Sequence, residues 1–376
     1  MANAAQERRN KAVRKQPQAG RDPKLEDGAA VRSWDRIAAG FVALGLLAAV
    51  GAAALLLPDP TDAAAEDIRF FRIGTGSTGG TYFPIGGIIA TAISSPPGSR
   101  ACEKGGSCGV PGLIAVAQST SGSVDNVDAI GRGLLESGFS QADIAYWAYH
   151  GKGPYKEKGA VPSLRAIANL YPESVHIVVR RDAGLTSPRD LKGLRVSLDR
   201  EGSGTKVDAE LILSAYGLSS KDIKVFHVPA VSAIDKLRAG ELDAFFFVAG
   251  APAKAVSALA EDSLITLLPI KGAEAEALTK KYPFFAGHTI PSGSYFNVGA
   301  TETLAVGAQW LVGAEVDEET VYEITRALWH ENTASLLTRG HPTGELITQQ
   351  TALQGVGVPL HPGAQRYYDE AAAVQN

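Results

Sequence analysis

Residues 71–82 read Phe-Arg-Ile-Gly-Thr-Gly-Ser-Thr-Gly-Gly-Thr-Tyr. Ser77 and Thr78 supply hydroxyls, and Gly79 and its neighbouring glycines let a ligand approach the backbone closely. Tyr82 adds a phenol donor or an apolar wall. Ile85, Ile88, Ile89, Ala92 and Ile93 follow with helical spacing. The order strand, Gly-rich loop, helix N-terminus gathers free N–H groups at the positive end of a helix dipole, which suits an anion. A second loop, Gly202-Ser203-Gly204-Thr205, presents consecutive N–H groups at another predicted helix start. Two such loops predict two lobes facing one small acidic ligand.

Further candidates fall at similar places in the pattern. Ser121 and Ser123 stand at a helix start, where ligand contact and pure capping both fit. Asn126 is one turn in, on the side expected to face the cleft. Gln141 closes a predicted strand and is expected to contact ligand. Asp143 would repel a carboxylate unless it takes an ammonium group or simply caps. Tyr171 precedes Pro172, so its backbone is expected to be extended, and its ring fits a cleft wall or a core. Phe245-Phe246-Phe247 reads as buried strand, with Phe247 and Gly250 at its cleft end. Asp199-Arg200-Glu201 complicates the second loop, because a carboxylate there weakens the positive potential unless Arg200 offsets it. Asp143, Glu173 and Glu201 are the candidates for a ligand ammonium. Arg165 and Arg180 are available, but no arginine clamp is identifiable. Hydroxyls and amides must then act several at once, since an unpaired buried carboxylate is costly.

These residues need elements to hold them. Strand-like runs at 69–73, 114–117, 174–180, 194–198, 223–227, 242–248 and 264–270 alternate with amphipathic helical patterns, which predicts α/β layers. Helices are expected from Ser123, from Thr205 to a stop at Gly217, over 233–237, over 318–337 and 344–353, and after His361. The stretches 186–193 and 282–293 read as crossings between units. They predict a discontinuous first lobe, 66–182 with 283–376, and an inserted second lobe, 183–282. The ligand then sits between them, near strand C-termini and helix N-termini.

The 376 residues are 45% hydrophobic and 20% charged, an ordinary globular balance long enough for two domains. Residues 1–36 carry nine Lys/Arg against five Asp/Glu, whereas residues 66–376 carry 27 basic against 33 acidic. An acidic body argues against nucleic acid as a partner. Residues 37–57 carry no charge and are long enough to span a bilayer. Their basic leader is expected to stay cytoplasmic, and 62–65 offer an A-x-A cleavage pattern. A cleaved signal and a retained anchor both fit. Either exports the body, to the periplasm, with membrane contact through 37–57 if uncleaved. In that compartment Cys102 and Cys108 are expected to form a disulfide that trims a protruding loop.

No metal, cofactor or enzyme signature is present. The seven histidines are scattered without H-x-x-H spacing, and no G-x-S-x-G elbow occurs. His176, in a Val/Ile run, reads as a core or cleft-edge residue. The first loop fits G-x-G-x-x-G only superficially, and export counts against a dinucleotide. The second loop lacks the Walker lysine.

Taken together the motifs resemble the TAXI family, the extracytoplasmic solute receptors of TRAP transporters. The matching segments are Gly74-Thr-Gly-Ser-Thr-Gly-Gly-Thr-Tyr82, Thr120-Ser-Gly-Ser-Val-Asp-Asn126, Gln141-Ala-Asp-Ile-Ala-Tyr146, Leu170-Tyr-Pro-Glu173, Val175-His-Ile-Val-Val179, Gly202-Ser-Gly-Thr205, Asp243-Ala-Phe-Phe-Phe-Val-Ala-Gly-Ala-Pro252, Tyr282-Pro-Phe284 and Pro359-Leu-His-Pro-Gly363. They span about residues 68–370 in family order. Where many relatives carry Pro or Gly, this chain has Glu201. The resemblance implies a class II periplasmic-binding-protein fold and delivery of a small carboxylate (glutamate, glutamine, 2-oxoglutarate or similar) to a sodium-coupled TRAP permease. The expectation is a monomeric receptor, not an enzyme, with no cofactor. An exported sensing module that signals to a membrane kinase is the alternative.

Overall fold

The structure, a computed structural model, describes residues 68–375. The leader 1–36, the apolar run 37–57 and the cleavage pattern at 62–65 lie outside the described residues. Among the described residues no helix is long and apolar enough to cross a membrane.

In chain order the elements are β1 (Arg69–Gly74), α1 (Tyr82–Ile93), β2 (Ser94–Ser95), β3 (Val110–Pro111), β4 (Leu113–Gln118), α2 (Ser123–Gly131), β5 (Ser137–Gln141), α3 (Ala142–His150) and β6 (Leu164–Arg180). Next come β7 (Arg195–Ser197), α4 (Gly204–Ala215), β8 (Lys224–Phe226), α5 (Ala230–Arg238), β9 (Ala244–Ala249), α6 (Lys254–Ala260), β10 (Ile265–Leu267) and α7 (Ala273–Lys281). The chain finishes with β11 (Ala286–Ile290), β12 (Thr301–Gly313), α8 (Glu318–Leu328), α9 (Glu331–Gly340) and α10 (Pro362–Gln375). This is the α/β class that the alternating pattern predicts.

The main sheet runs β4-β1-β5-β12-β6-β9-β7-β8, with β10 added on β6 and β11 on β12. Its two ends are parallel: β1 pairs with β4 and β5, and β7 pairs with β8 and β9. The centre is antiparallel. β12 lies between β5 and β6, and β6 continues alongside β9. The two long strands therefore serve both halves of the sheet, and they pair side by side, with Tyr171 and Pro172 facing Ala308 and Gly307.

Helices cover both faces, so the central strands read as continuous apolar runs rather than alternating ones. Along β9, Phe246 faces one apolar cluster with Ile177, Val196 and Ile212, while Phe245 and Phe247 face another with Ala233, Leu237 and Tyr295. In the other half, Ile73, Ile89, Phe139 and Trp310 form one cluster, and Val127, Ile144, Ala166 and Leu311 another. All three phenylalanines are buried, as the reading of this run as strand expects.

Several elements differ from the sequence expectation, among them the central strand β12, where no strand is expected from the sequence. The expected 318–337 helix is two helices, because His330 is extended and its Nδ1 accepts the Asn332 N–H at 3.1 Å, starting α9 anew. The expected 344–353 helix is two short 3-10 turns, Pro342–Leu346 and Gln349–Thr351. Between them Ile347 and Thr348 are extended, and the Thr348 and Thr351 hydroxyls lie 3.0 Å apart, a side-chain alternative to helical pairing. The 174–180 strand is the later part of a 17-residue strand that passes straight through Pro172. Cys102 and Cys108 form the expected disulfide, with their Cα atoms 4.7 Å apart.

Candidate functional site

Four chain segments converge between the two halves of the sheet. The β1–α1 loop arrives from Gly74, the loop after β4 ends at α2, β5 ends at Gln141, and the β7–α4 loop ends at Gly204. Ser203 caps α4, its Oγ accepting the Lys206 N–H at 3.1 Å. The capping oxygen is thereby used, and the hydroxyl lies against the Asp199 carboxyl, to which it donates. Thr205 Oγ1 accepts the Val248 N–H at 3.1 Å, tying α4 to β9.

Ser77, Tyr82, Ser121, Ser123, Gln141, Ser203, Gly204, Thr205 and Phe247 line one cavity between these segments. Sequence reading did not assign Gly76, Gly80, Thr81, Gly122, Asp199 and Val248, which complete its wall with Glu173. The missed glycines flank assigned residues, so the motif windows contained them. The volume is about 40 Å³, room for roughly three waters. Hydrogen bonds span this narrow space. The Asp125 N–H donates to Gly202 O at 3.0 Å and Arg200 Nη2 donates to Thr120 O at 2.5 Å. Opposite them, Thr81 Oγ1 donates to Gly250 O at 3.1 Å, and the Ala255 N–H donates to Gly79 O at 3.0 Å.

The remaining candidates stand elsewhere. Thr78 is exposed beside the loop. Gly79 and Gly250 are held in the pairings just described and do not line the cavity. Asn126 turns inward: its Nδ2 donates to Thr75 O at 2.7 Å and Phe139 O at 2.8 Å, bracing β1 against β5. Tyr171 is buried behind the cavity in a separate groove with Asn169 and Pro172. Arg165 donates to Pro162 O and Leu164 O, and Arg180 pairs with Asp182, so neither reaches the cavity. His176 is fully buried, its Nδ1 near Ser174 O and Phe247 O and its Nε2 2.8 Å from the Tyr295 hydroxyl.

The cavity wall contains no Lys, Arg or His, but it contains two carboxyl groups. Tyr82 donates its hydroxyl to Glu173 Oε2 at 2.6 Å. Burial pushes the Glu173 carboxyl up to about 8, against the opposing effect of that hydrogen bond. Burial likewise pushes Asp199 up to about 6. Asp199 sits at φ 70°, a left-handed conformation that Asp tolerates better than most residues. The backbone there turns sharply into Gly202–Thr205. Glu201, suspected of spoiling the local potential, is exposed and lies near Lys206 at 3.6 Å and His227 at 3.8 Å, outside the cavity.

Behind Gln141 the acidity deepens. Ser123 Oγ accepts the Gln141 N–H at 3.1 Å and lies 3.3 Å from its Oε1. Gln141 Nε2 donates to Asp208 Oδ2 at 2.5 Å. Asp143 and Asp208 are both fully buried next to each other. Asp208 carried no signal in the sequence, standing mid-helix among Val207, Ala209 and Glu210. The arrangement can grip a small polar solute through hydroxyls and backbone amides, with Glu173 placed for a donor on that solute.

A family model described as NMT1-like matches residues 73–371. Among solved structures, similar chains include MatC (Rpa3494) from Rhodopseudomonas palustris with bound malate, at 14% identity, TM-score 0.48, and coverage of 81% of this chain and 97% of that chain. Another is PhnD1 from Prochlorococcus marinus (MIT 9301) in complex with methylphosphonate, at 12% identity, TM-score 0.46, and coverage of 72% and 89%. A third is the alkanesulfonate-binding protein SsuA from Xanthomonas axonopodis pv. citri bound to MOPS, at 17% identity, TM-score 0.42, and coverage of 81% and 84%.

Proposed function

The chain belongs to the NMT1-like family over residues 73–371, and from that premise we propose that it is an extracytoplasmic solute-binding receptor of the TAXI type. It takes up a small carboxylate such as glutamate, glutamine or 2-oxoglutarate and hands it to a TRAP-type membrane permease. One observation supports this above others. Ser77, Ser121, Ser123, Ser203 and Thr205, from segments far apart in sequence, bring hydroxyls and helix-start amides to one cavity between the two halves.

In this reading the protein has a class II periplasmic-binding-protein fold and binds its solute without converting it. The first lobe comprises 66–182 and 283–376, the second 183–282, and β6 and β12 are shared between them. The described cavity is smaller than any of these solutes, so entry requires the lobes to part about the shared strands. Ser77, Ser123, Ser203 and Thr205 meet the ligand carboxylate, Phe247 covers its carbon chain, and Glu173 takes its remaining donor.

Titration calorimetry of the purified protein against dicarboxylates, amino acids and oxoacids tests the proposal. Saturable binding of one of them supports it. No heat and no thermal shift with any of the panel overturns it.

A further inference from the structure

We infer that Asp143 and Asp208 form a proton-binding site between the two halves of the protein, so that closing over solute also takes up a proton from solvent. The inference rests on the receptor reading above.

Asp143 lies in the first turn of α3, directly beyond the cavity residue Gln141. Asp208 lies in the second turn of α4, directly beyond Ser203–Thr205. Both side chains are fully buried. Of their four carboxyl oxygens, only Asp208 Oδ2 has a donor, the Gln141 carboxamide at 2.5 Å. Asp143 Oδ1, Asp143 Oδ2 and Asp208 Oδ1 have none. The N–H groups of Asp143 and Ile144 lean toward the Asp143 carboxyl without reaching hydrogen-bond geometry.

Two adjacent carboxylates cannot both stay ionised in a dry pocket. Among the described residues no cation pairs with either aspartate. Glu173 on β6 is a further acid rather than a cation, and any charge on it would only raise the proton affinity of the pair; Tyr82 and Tyr171 beside it are neutral. On α4, Lys206 turns to Glu201 and Glu210. In the preceding loop, Arg200 is held by Thr120 O. On α2, Asp125 accepts the Ser121 N–H and Asp128 pairs with Lys158. On α7 and the turn before β7, Glu274 pairs with Arg189. Among the described residues, no three-ligand metal cluster includes either aspartate. One proton shared between the carboxyls removes the repulsion and gives two orphan oxygens a partner. Burial, then the neighbouring acid, drives the pair's proton affinity upward.

When the halves part, the Gln141–Asp208 bond is lost and water reaches both aspartates. They return to ordinary values near 4. The closed form therefore binds more protons than the open form. The dissociation constant rises with pH, by at most about tenfold per pH unit for one proton, between the open and closed values.

The test uses the full chain, with L-glutamate, 2-oxoglutarate and L-malate as calorimetric probes in buffers of different ionisation enthalpy at pH 7. About one proton more is taken up by wild type than by Asp208→Asn or Asp143→Asn, and each variant loses part of the pH slope. Glu173→Gln, run in parallel, separates that carboxyl's own contribution. Equal uptake in wild type and both aspartate variants overturns the inference. So does a sodium dependence of affinity in place of the pH dependence. If no probe binds, the carboxylate-receptor reading falls. The pair is then decided by infrared spectroscopy on the Glu173→Gln protein, which lacks that carboxyl's own band: a protonated carboxyl band at pH 7 is present there and lost when Asp208→Asn is added. Absence of that band in Glu173→Gln overturns it.

Discussion

Gln141 and Gly204 meet so closely that a Cβ built on Gly204 would stand 1.4 Å from the Gln141 carboxamide oxygen. The contact joins the end of β5 to the start of α4, across the mouth of the acidic pair. Only glycine allows this approach. Gly204→Ala should therefore obstruct closure while leaving each half folded. Solute affinity is expected to fall on the order of tenfold to a hundredfold, the overpacking cost of about 1–3 kcal/mol. Gln141→Gly on that background should recover part of it. Calorimetry on the two variants checks the ranking, and an affinity unchanged by Gly204→Ala would refute the contact's role.

The double variant Ser203→Ala, Thr205→Ala should weaken binding more than His176→Ala does. Both residues line the cavity, whereas burial pushes the His176 imidazole down to about 4 and its two ring nitrogens are engaged within the core. His176→Ala should lower the melting temperature instead. Losing the Ser203 cap adds about 0.5–2 kcal/mol of instability to the double variant, so affinities must be compared well below its melting point.

Stability should decline between pH 5 and pH 8. The Glu173 carboxyl sits at about 8 in the folded protein and near 4.3 in an unfolded chain. The folded state holds a proton that the unfolded chain releases, so stability is complete below the unfolded value and is lost as pH rises through the folded one. A loss on the order of 2–4 kcal/mol over this interval follows. Thermal melts of wild type and Glu173→Gln read it directly. The variant's curve should be flatter, and parallel curves would remove Glu173 as the cause.

In the unreduced protein neither Cys102 nor Cys108 should react with an alkylating reagent. Reduction should cost roughly 2 kcal/mol, the value for so short a loop. It should leave solute affinity unchanged, because the bridge lies beside His330, which caps α9, and Asn332 in its first turn rather than at the cavity. Alkylation followed by mass spectrometry and a denaturation curve checks both parts.

Local chemistry was the legible layer of this protein. Gly-rich turns before apolar helical spacing located the loop that carries Ser77 and the helix starts at Ser123 and Ser203, since capping and turn preferences act over a few residues. Asn126 shows the limit: helical phase puts it one turn in, but phase alone does not say whether an amide faces a cleft or braces two strands. Asp208 was invisible because a carboxyl among helix residues looks solvated until another element buries it. Glu173 was legible as a candidate, yet its partner Tyr82 is 91 residues away. Of the two long strands, β6 was legible only over 174–180 and β12 not at all, for a similar reason. Pro172 implies only that Tyr171 is extended, and pairing with Gly307 shows that one strand passes through both.

That passage has a mechanical consequence. β6 and β12 belong to both halves at once, so neither half can slide along the other. A slip of one residue would turn every buried side chain of these strands to the wrong face. Relative motion is left with bending, and bending keeps the ladder of amide bonds in register. The opening proposed above is thus a flexure rather than a pivot. It would store elastic deformation in two strands, and amides near Tyr171 and Ala308 should then resist hydrogen exchange while the Gly79–Ala255 pairing opens and closes.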